Sequence, residues 1–282
     1  MTSPAETDPV GPGREAEEPT GIDSAFAAAR REGRAALMPY MMGGFPDQAT
    51  SLAVADAYAD AGADLVELGV PYSDPLADGP VIHSAGTRAL AAGATLESVL
   101  ELCERLAQRL PVVPMAYANM ALARGPERFA RALADAGASG AIVPDLPLEE
   151  GGEVAAALRA AGLALVPLVA PTTPPERRRE ICAAAEGFVY VVSDTRTTGE
   201  RKELPPALGE LVRATQADSP VPVAVGFGIG TPEQVASVSA IADGVIVGSR
   251  LVRAVAEAGD AKAAADAVTG FIAAARAAMA TT

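Results

Sequence analysis

Two carboxylates eleven positions apart, Glu67 and Asp78, are the strongest chemical signal in this sequence. Glu67 lies inside a short apolar run, Asp64 to Val70. Asp78 lies on the loop that leaves this run, a stretch with Pro71, Pro75, Pro80 and a further acid, Asp74. A glutamate within an apolar strand is costly to bury unless something pairs with it or uses it. A loop folding back over the strand end would aim both acids into one pocket. Two carboxyls in different surroundings hold different protonation states, which is the requirement of general acid–base chemistry. The structural alternative is that Glu67 pairs with a buried base while Asp74 and Asp78 only shape turns.

The elements that would position these groups repeat along the chain. Eight apolar, strand-like runs recur: Ala36 to Met42, Asp64 to Val70, Val112 to Tyr117, Gly140 to Val143, Ala164 to Val169, Gly187 to Val192, Val221 to Phe227 and Gly244 to Val247. Ala-rich amphipathic segments separate them, among them Ala49 to Ala61, Leu96 to Arg109, Pro126 to Ala136, Glu149 to Ala160, Pro175 to Ala185 and Pro232 to Ala240. Pro126, Pro175 and Pro232 stand at helix starts, where a missing N–H costs nothing. Gly62, Gly137 and Gly162 stand where a helix ends in a left-handed turn. Strands apolar on both faces and alternating with helices predict a parallel sheet covered by helices. Eight such units predict a single (β/α)8 TIM barrel spanning residues 21–282, with chemistry at the C-terminal ends of the strands.

Ahead of the barrel, residues 1–20 are rich in Pro, Gly and Glu without apolar period, and read as a disordered acidic tail. Asp23 or Ser24 caps a short extra helix running to about Gly33, with Ile22 and Phe26 as its apolar residues, suited to the floor of a barrel.

The last two strands run into glycines: Gly226-Phe227-Gly228-Ile229-Gly230 and Gly248-Ser249-Arg250. Glycines admit an anion to backbone N–H groups, and a helix N-terminus adds donors and a favourable dipole. Turn formation explains either motif alone. Together, after the seventh and eighth strands, they predict a phosphate site, with Arg250 either assisting or tied up in a surface ion pair.

Composition sets the remaining bounds. The 282 residues carry a net charge of −14, which argues against nucleic acid or an anionic membrane as partner. Two cysteines, Cys103 and Cys182, fall in helical patterns and form no disulfide framework, as in a cytoplasmic protein. No apolar run reaches the roughly eighteen residues of a membrane span, and the N-terminus lacks a signal peptide's order. The one histidine, His83, and the scattered cysteines build no metal site; His83 reads as part of a surface helix start.

The string Leu68-Gly69-Val70-Pro71-Tyr72-Ser73-Asp74-Pro75-Leu76-Ala77-Asp78-Gly79-Pro80, preceded by Glu67, resembles the tryptophan synthase alpha chain family, as does the chain from about Ile22 onward. Weaker matches are Arg88-Ala89-Leu90, Tyr117-Ala118-Asn119, Val143-Pro144-Asp145-Leu146-Pro147, Gly226-Phe227-Gly228-Ile229 and Asp243-Gly244-Val245-Ile246-Val247-Gly248-Ser249. The resemblance implies retro-aldol cleavage of indole-3-glycerol phosphate to indole and glyceraldehyde 3-phosphate. It implies Glu67 as the proton-transfer residue and Asp78 as the group holding the indole N–H, with Tyr190 beside Glu67. Phe227 would pack on the indole, Ile82 and Ile142 would wall the pocket, and Gly199, Gly228, Gly248 and Ser249 would contact phosphate. Tyr190 as a barrel-filling aromatic, and Ile82 and Ile142 as core, are the structural alternatives.

No cofactor is implied in this chain; pyridoxal phosphate would belong to a partner beta chain, in a heterotetramer of two alpha and two beta chains. A stand-alone lyase releasing free indole is the alternative, and a non-catalytic activating subunit a weaker one, since both acids are present. Three positions depart from the family pattern. Arg196 and Thr197 replace a Gly-Val pair in the sixth loop, which in this family closes over substrate and answers to the beta chain. Arg takes positive φ only at a cost, so this hinge is stiffer. Met42 stands where the family usually has Thr.

Overall fold

The computed structural model describes residues 21–192, 207–226 and 228–280. The predicted tail, the sixth loop with Gly199, and Phe227 lie outside the described residues. Among those described, nine strands and twelve helices follow one another. They are α1 (Gly21–Arg31), β1 (Ala36–Met42), α2 (Gln48–Asp60), β2 (Val66–Gly69), α3 (Pro80–Ala91), α4 (Leu96–Ala107), β3 (Val112–Met115), α5 (Ala118–Arg124), α6 (Pro126–Asp135), β4 (Gly140–Ile142), α7 (Gly152–Ala160), β5 (Ala164–Val166), β6 (Leu168–Val169), α8 (Pro175–Ala183), β7 (Val189–Val192), α9 (Leu208–Asp218), β8 (Val223–Gly226), α10 (Pro232–Ser239), β9 (Gly244–Val247), α11 (Ser249–Glu257) and α12 (Ala261–Met279).

All strand pairs are parallel, in the order β5-β4-β3-β2-β1-β9-β8-β7-β6. The two end strands flank Pro167 and form one barrel strand interrupted there. Proline has no N–H to give the ladder, but its carbonyl still accepts from Tyr190 N at 2.9 Å. The predicted run Ala164 to Val169 is therefore two strands, and the ring closes through it as a (β/α)8 barrel.

Alternation along the strands divides the apolar residues. One set fills the barrel: Met38, Leu65, Val113, Ile142, Val166, Phe188, Tyr190 and Ile246. The other set, including Leu37, Val66, Leu102, Phe129 and Leu133, joins the strands to the helical ring. The end of helix α12 is tied to the loop before β2, with Arg276 Nη1 donating to the Gly62 carbonyl at 2.7 Å. Beneath the barrel, Arg34 grips Asp64 through two hydrogen bonds of 2.6 and 2.8 Å, and both side chains are nearly buried.

Helix α1 seals the N-terminal end of the barrel. Ile22, Phe26 and Ala29 are buried in the barrel-filling set. They fit because the strand starts they meet are glycines: a Cβ on Gly140 or Gly187 would press on Ile22, and one on Gly244 on Phe26. The helix already begins by Gly21, so Asp23 and Ser24 lie inside its first turn and do not cap it from outside. The helix after β4 starts at Gly152 instead of Glu149, because Glu150 N and Gly151 N first turn back onto the Pro147 carbonyl. Gly62, Gly137 and Gly162 take the predicted left-handed conformation, with φ of 85°, 75° and 75°.

Candidate active site

Strand β2 brings Glu67 into the barrel interior, in register with Tyr40 of β1 and Val113 of β3. Glu67 is 2% exposed. Among the described residues no base pairs with it, contrary to the structural alternative, and its Oε2 is the one buried side-chain oxygen or nitrogen without a hydrogen-bond partner. An orphaned buried carboxyl oxygen is expensive, and a catalytic role is one explanation for its retention. Burial, and then the charge of Asp78, push the Glu67 carboxyl up to about 8. At neutral pH it therefore holds its proton.

Two tyrosines close around it. Tyr40 and Tyr190 are buried, and each hydroxyl lies over a glycine of the next strand, Gly69 and Gly226, where a Cβ would collide with the ring. The Tyr40 hydroxyl points to Met42 Sδ at 3.9 Å, so the methionine that replaces threonine here is a weak acceptor for it. Burial raises both phenols well above their ordinary range, and the Glu67 charge adds to each. Tyr190 is thus beside Glu67, while also filling the barrel.

Asp78 reaches the same neighbourhood from the loop after β2. It is half-buried, and Tyr117 at the end of β3 donates to its Oδ1 at 2.9 Å. Burial raises the Asp78 carboxyl; the Tyr117 hydrogen bond and the charge of His83 work against that rise. The Tyr40 phenol responds to Asp78, Glu67, Tyr117 and Tyr190 together, which places all five groups in one electrostatic field. Asp74 stays outside it, exposed and bonded to Ser73, as a turn residue. His83 is exposed in the first turn of α3. Ile142 is buried in the barrel interior, and Ile82 is half-buried on α3. In the sequence Tyr117 stands out only as part of a family match and Tyr40 not at all; the signal for Tyr40 was its two-residue phase with the interior face of β1.

At the ends of β8 and β9 the glycine motif divides its labour. Gly226 makes room for Tyr190, and the Gly230 N–H is taken by Gln234 Oε1 at 2.8 Å. Gly228, at φ 77°, takes a left-handed turn. Gly248 joins β9 directly to α11 and lies against Tyr40, so Ser249 opens a helix whose first N–H groups lack intrahelical acceptors. The Arg250 guanidinium sits over the Phe271 ring, 5.7 Å from the centroid. Among the described residues no group of His, Cys, Asp or Glu is arranged to hold a metal ion, and no helix is long and apolar enough to cross a membrane.

The sequence profile of the tryptophan synthase alpha chain family matches residues 26–280. A tryptophan synthase alpha chain of Synechococcus sp. (strain CC9902) is 50% identical over 254 residues, 89% of this chain and 94% of the relative. One from Carboxydothermus hydrogenoformans is 49% identical over 233 residues, 82% of this chain and 87% of the relative. Among solved structures, Mycobacterium tuberculosis tryptophan synthase superposes with a TM-score of 0.86 at 36% identity, covering 93% of this chain and 99% of the other. Tryptophan synthase subunit alpha from Legionella pneumophila gives 0.85 at 35% identity, covering 93% and 99%. An interior acid, a loop-borne acid beside it, glycine turns at the ends of β8 and β9 and these likenesses agree, and the chain belongs to the tryptophan synthase alpha chain family.

Proposed function

We propose that Glu67 and Asp78 carry the lyase reaction of this family, retro-aldol cleavage of indole-3-glycerol phosphate to indole and glyceraldehyde 3-phosphate. Glu67, protonated at neutral pH, gives its proton to indole C3. The ring becomes an indolenine with positive character at nitrogen. The Glu67 carboxylate then takes the proton of the glyceryl hydroxyl as the carbon–carbon bond breaks. The bonding pair returns to the indole ring, the alkoxide carbon becomes the aldehyde, and Glu67 ends as it began. Asp78, whose rise on burial is opposed by the Tyr117 hydrogen bond and the charge of His83, accepts the indole N–H and stabilises the positive charge. Two carboxyls in different surroundings, one fully buried on a strand and one half-buried on a loop, are what this sequence of proton transfers requires. The pair of the broken bond stays on the indole ring and only protons pass between substrate and protein, so this scheme calls on no metal or organic cofactor.

The remaining site residues serve binding in this reading. Tyr190 borders Glu67, Ile82 and Ile142 wall the indole pocket, and Phe227 packs on the ring. Gly228, Gly248, Ser249 and Gly199 receive the phosphate. The partner is a beta chain carrying pyridoxal phosphate, in an assembly of two alpha and two beta chains in the cytoplasm. Exposed leucines support a docking face at the barrel mouth: Leu76 after β2, Leu122 in α5 after β3 and Leu148 after β4. These solvated leucines fall on three consecutive βα units, on the side of the loops that carry Asp78 and Tyr117.

One observation carries the reading, the buried Glu67 carboxyl with its unpartnered oxygen. Indole release by the chain together with a beta chain tests it. Glu67→Gln and Asp78→Asn should each lose about 10²–10⁴ in rate, the usual worth of a proton transfer. Full activity in either variant would remove that residue from the mechanism.

A further inference from the structure

We infer that Tyr117 is a positioning residue for Asp78, its hydroxyl fixing a loop-borne carboxylate against the end of β3. The inference rests on the role proposed for Asp78. Residues 70–79, between β2 and α3, form no helix or strand, so no regular structure holds Asp78 in place. Tyr117, by contrast, is anchored on both sides. Ala116 N donates to the Ile142 carbonyl at 3.0 Å, and Ala118 N donates to Asp145 Oδ1 at 2.8 Å. Its ring stacks on Tyr72 with centroids 5.2 Å apart, and the Tyr72 hydroxyl accepts from Asn119 Nδ2 at 3.2 Å. Strand, helix start and stack together leave the hydroxyl little freedom.

That hydroxyl engages two adjacent loop residues at once. It accepts the Ala77 N–H at 3.1 Å and donates its proton to Asp78 Oδ1 at 2.9 Å. A phenolic oxygen has one proton and lone pairs to spare, so neither bond displaces the other. Backbone and carboxylate of the loop are thereby tied to one point on a neighbouring strand. With Oδ1 engaged, Oδ2 is left to receive an indole N–H. The charged or titratable groups that face Asp78 are Glu67 from β2, Tyr40 from β1, His83 from α3 and Tyr117 itself, with Asp145 behind Tyr117. Of these, Tyr117 and His83 favour its ionised form.

Tyr117→Phe keeps the ring and its stack but deletes both hydrogen bonds. In the complex with a beta chain, kcat/KM for indole-3-glycerol phosphate should fall about ten- to a hundredfold, the worth of a hydrogen bond to a charged group. The acid-side limb of the pH profile should move upward, because Asp78 loses a donor that favours its ionised form. On the residual rate of Asp78→Asn, the same substitution should cost little more. Should Tyr117→Phe fail to fold, difluorotyrosine at position 117 keeps both bonds and strengthens the donor, and should move the same limb downward. An unmoved limb with unchanged kcat/KM, or a penalty that multiplies fully onto Asp78→Asn, overturns the inference and leaves the proposed function standing. A wild-type complex that releases no indole takes both away.

Discussion

The hydroxyl of Tyr40 lies over Gly69 of the adjoining strand, in the space a Cβ would occupy. The barrel interior accommodates a second large phenol in the same way, Tyr190 over Gly226. These two close approaches set how near the tyrosines come to Glu67. Alanine at position 69 must push Tyr40 out of place, because backbone in a parallel barrel yields less than a side chain does. Overpacking of this kind costs about 1–3 kcal/mol in stability. Displacing a group that borders the reacting centre costs more in rate, on the order of a hundredfold. The expected outcome for Gly69→Ala is a folded, modestly destabilised protein with severely reduced indole release. Denaturant melts and steady-state kinetics on one preparation check this; wild-type kinetics would show that Tyr40 has room to move.

The Glu67 carboxyl gives two pH dependences with definite signs. Its value is about 8 in the folded protein against 4.5 when free. Between those limits the native state keeps a proton that the unfolded chain gives up. Stability contributed by the protonated form is therefore lost progressively as pH rises from about 4.5 to about 8. Glu67→Gln removes the titration, so the variant should gain on the wild type across that window and hold a constant lead above it. The lead should reach several kcal/mol at most, since a tenfold change in acidity corresponds to about 1.4 kcal/mol. Catalysis should fall along the basic limb for the same reason, as the donor of the C3 proton ionises near pH 8. Unfolding free energies of both proteins from pH 5 to 9 would show the diverging lines. Parallel lines would place the Glu67 carboxyl in its ordinary range.

The outline of this molecule was legible in its sequence because eight apolar runs recur at a spacing that admits little else. Glu67 stood out for a similar reason, as a charge in a run that has to be buried. What escaped notice depends on contacts between distant residues. Tyr117 and Asp78 are 39 positions apart, and no local pattern tells a loop where to fold back. The interruption at Pro167 was hidden because hydrophobic periodicity takes no account of which residues own an N–H. The Gly226, Gly228 and Gly230 motif looked like one anion cradle. It resolves into a recess for Tyr190, a left-handed turn and a donor to Gln234. Only side-chain neighbours distinguish those uses of the same residue.

The rim of the barrel mouth supplies the remaining prediction. Leu76 is 81% exposed and Leu122 54% exposed, so neither contributes much to the fold of the isolated chain. Exchanging such a residue for a charged one usually changes stability by less than about 0.5 kcal/mol. If a beta chain covers this rim, the same exchange places a charge in an apolar contact and is costly there. Leu76→Asp and Leu122→Asp should melt like the wild type and keep its basal indole release. Both should need at least tenfold more beta chain to reach half-maximal stimulation, as loss of about 1.4 kcal/mol of binding dictates. Titrating beta chain into each variant and following indole formation reads the shift directly. An unshifted titration would mean that the partner docks elsewhere on the barrel, away from the loops that carry Asp78 and Tyr117.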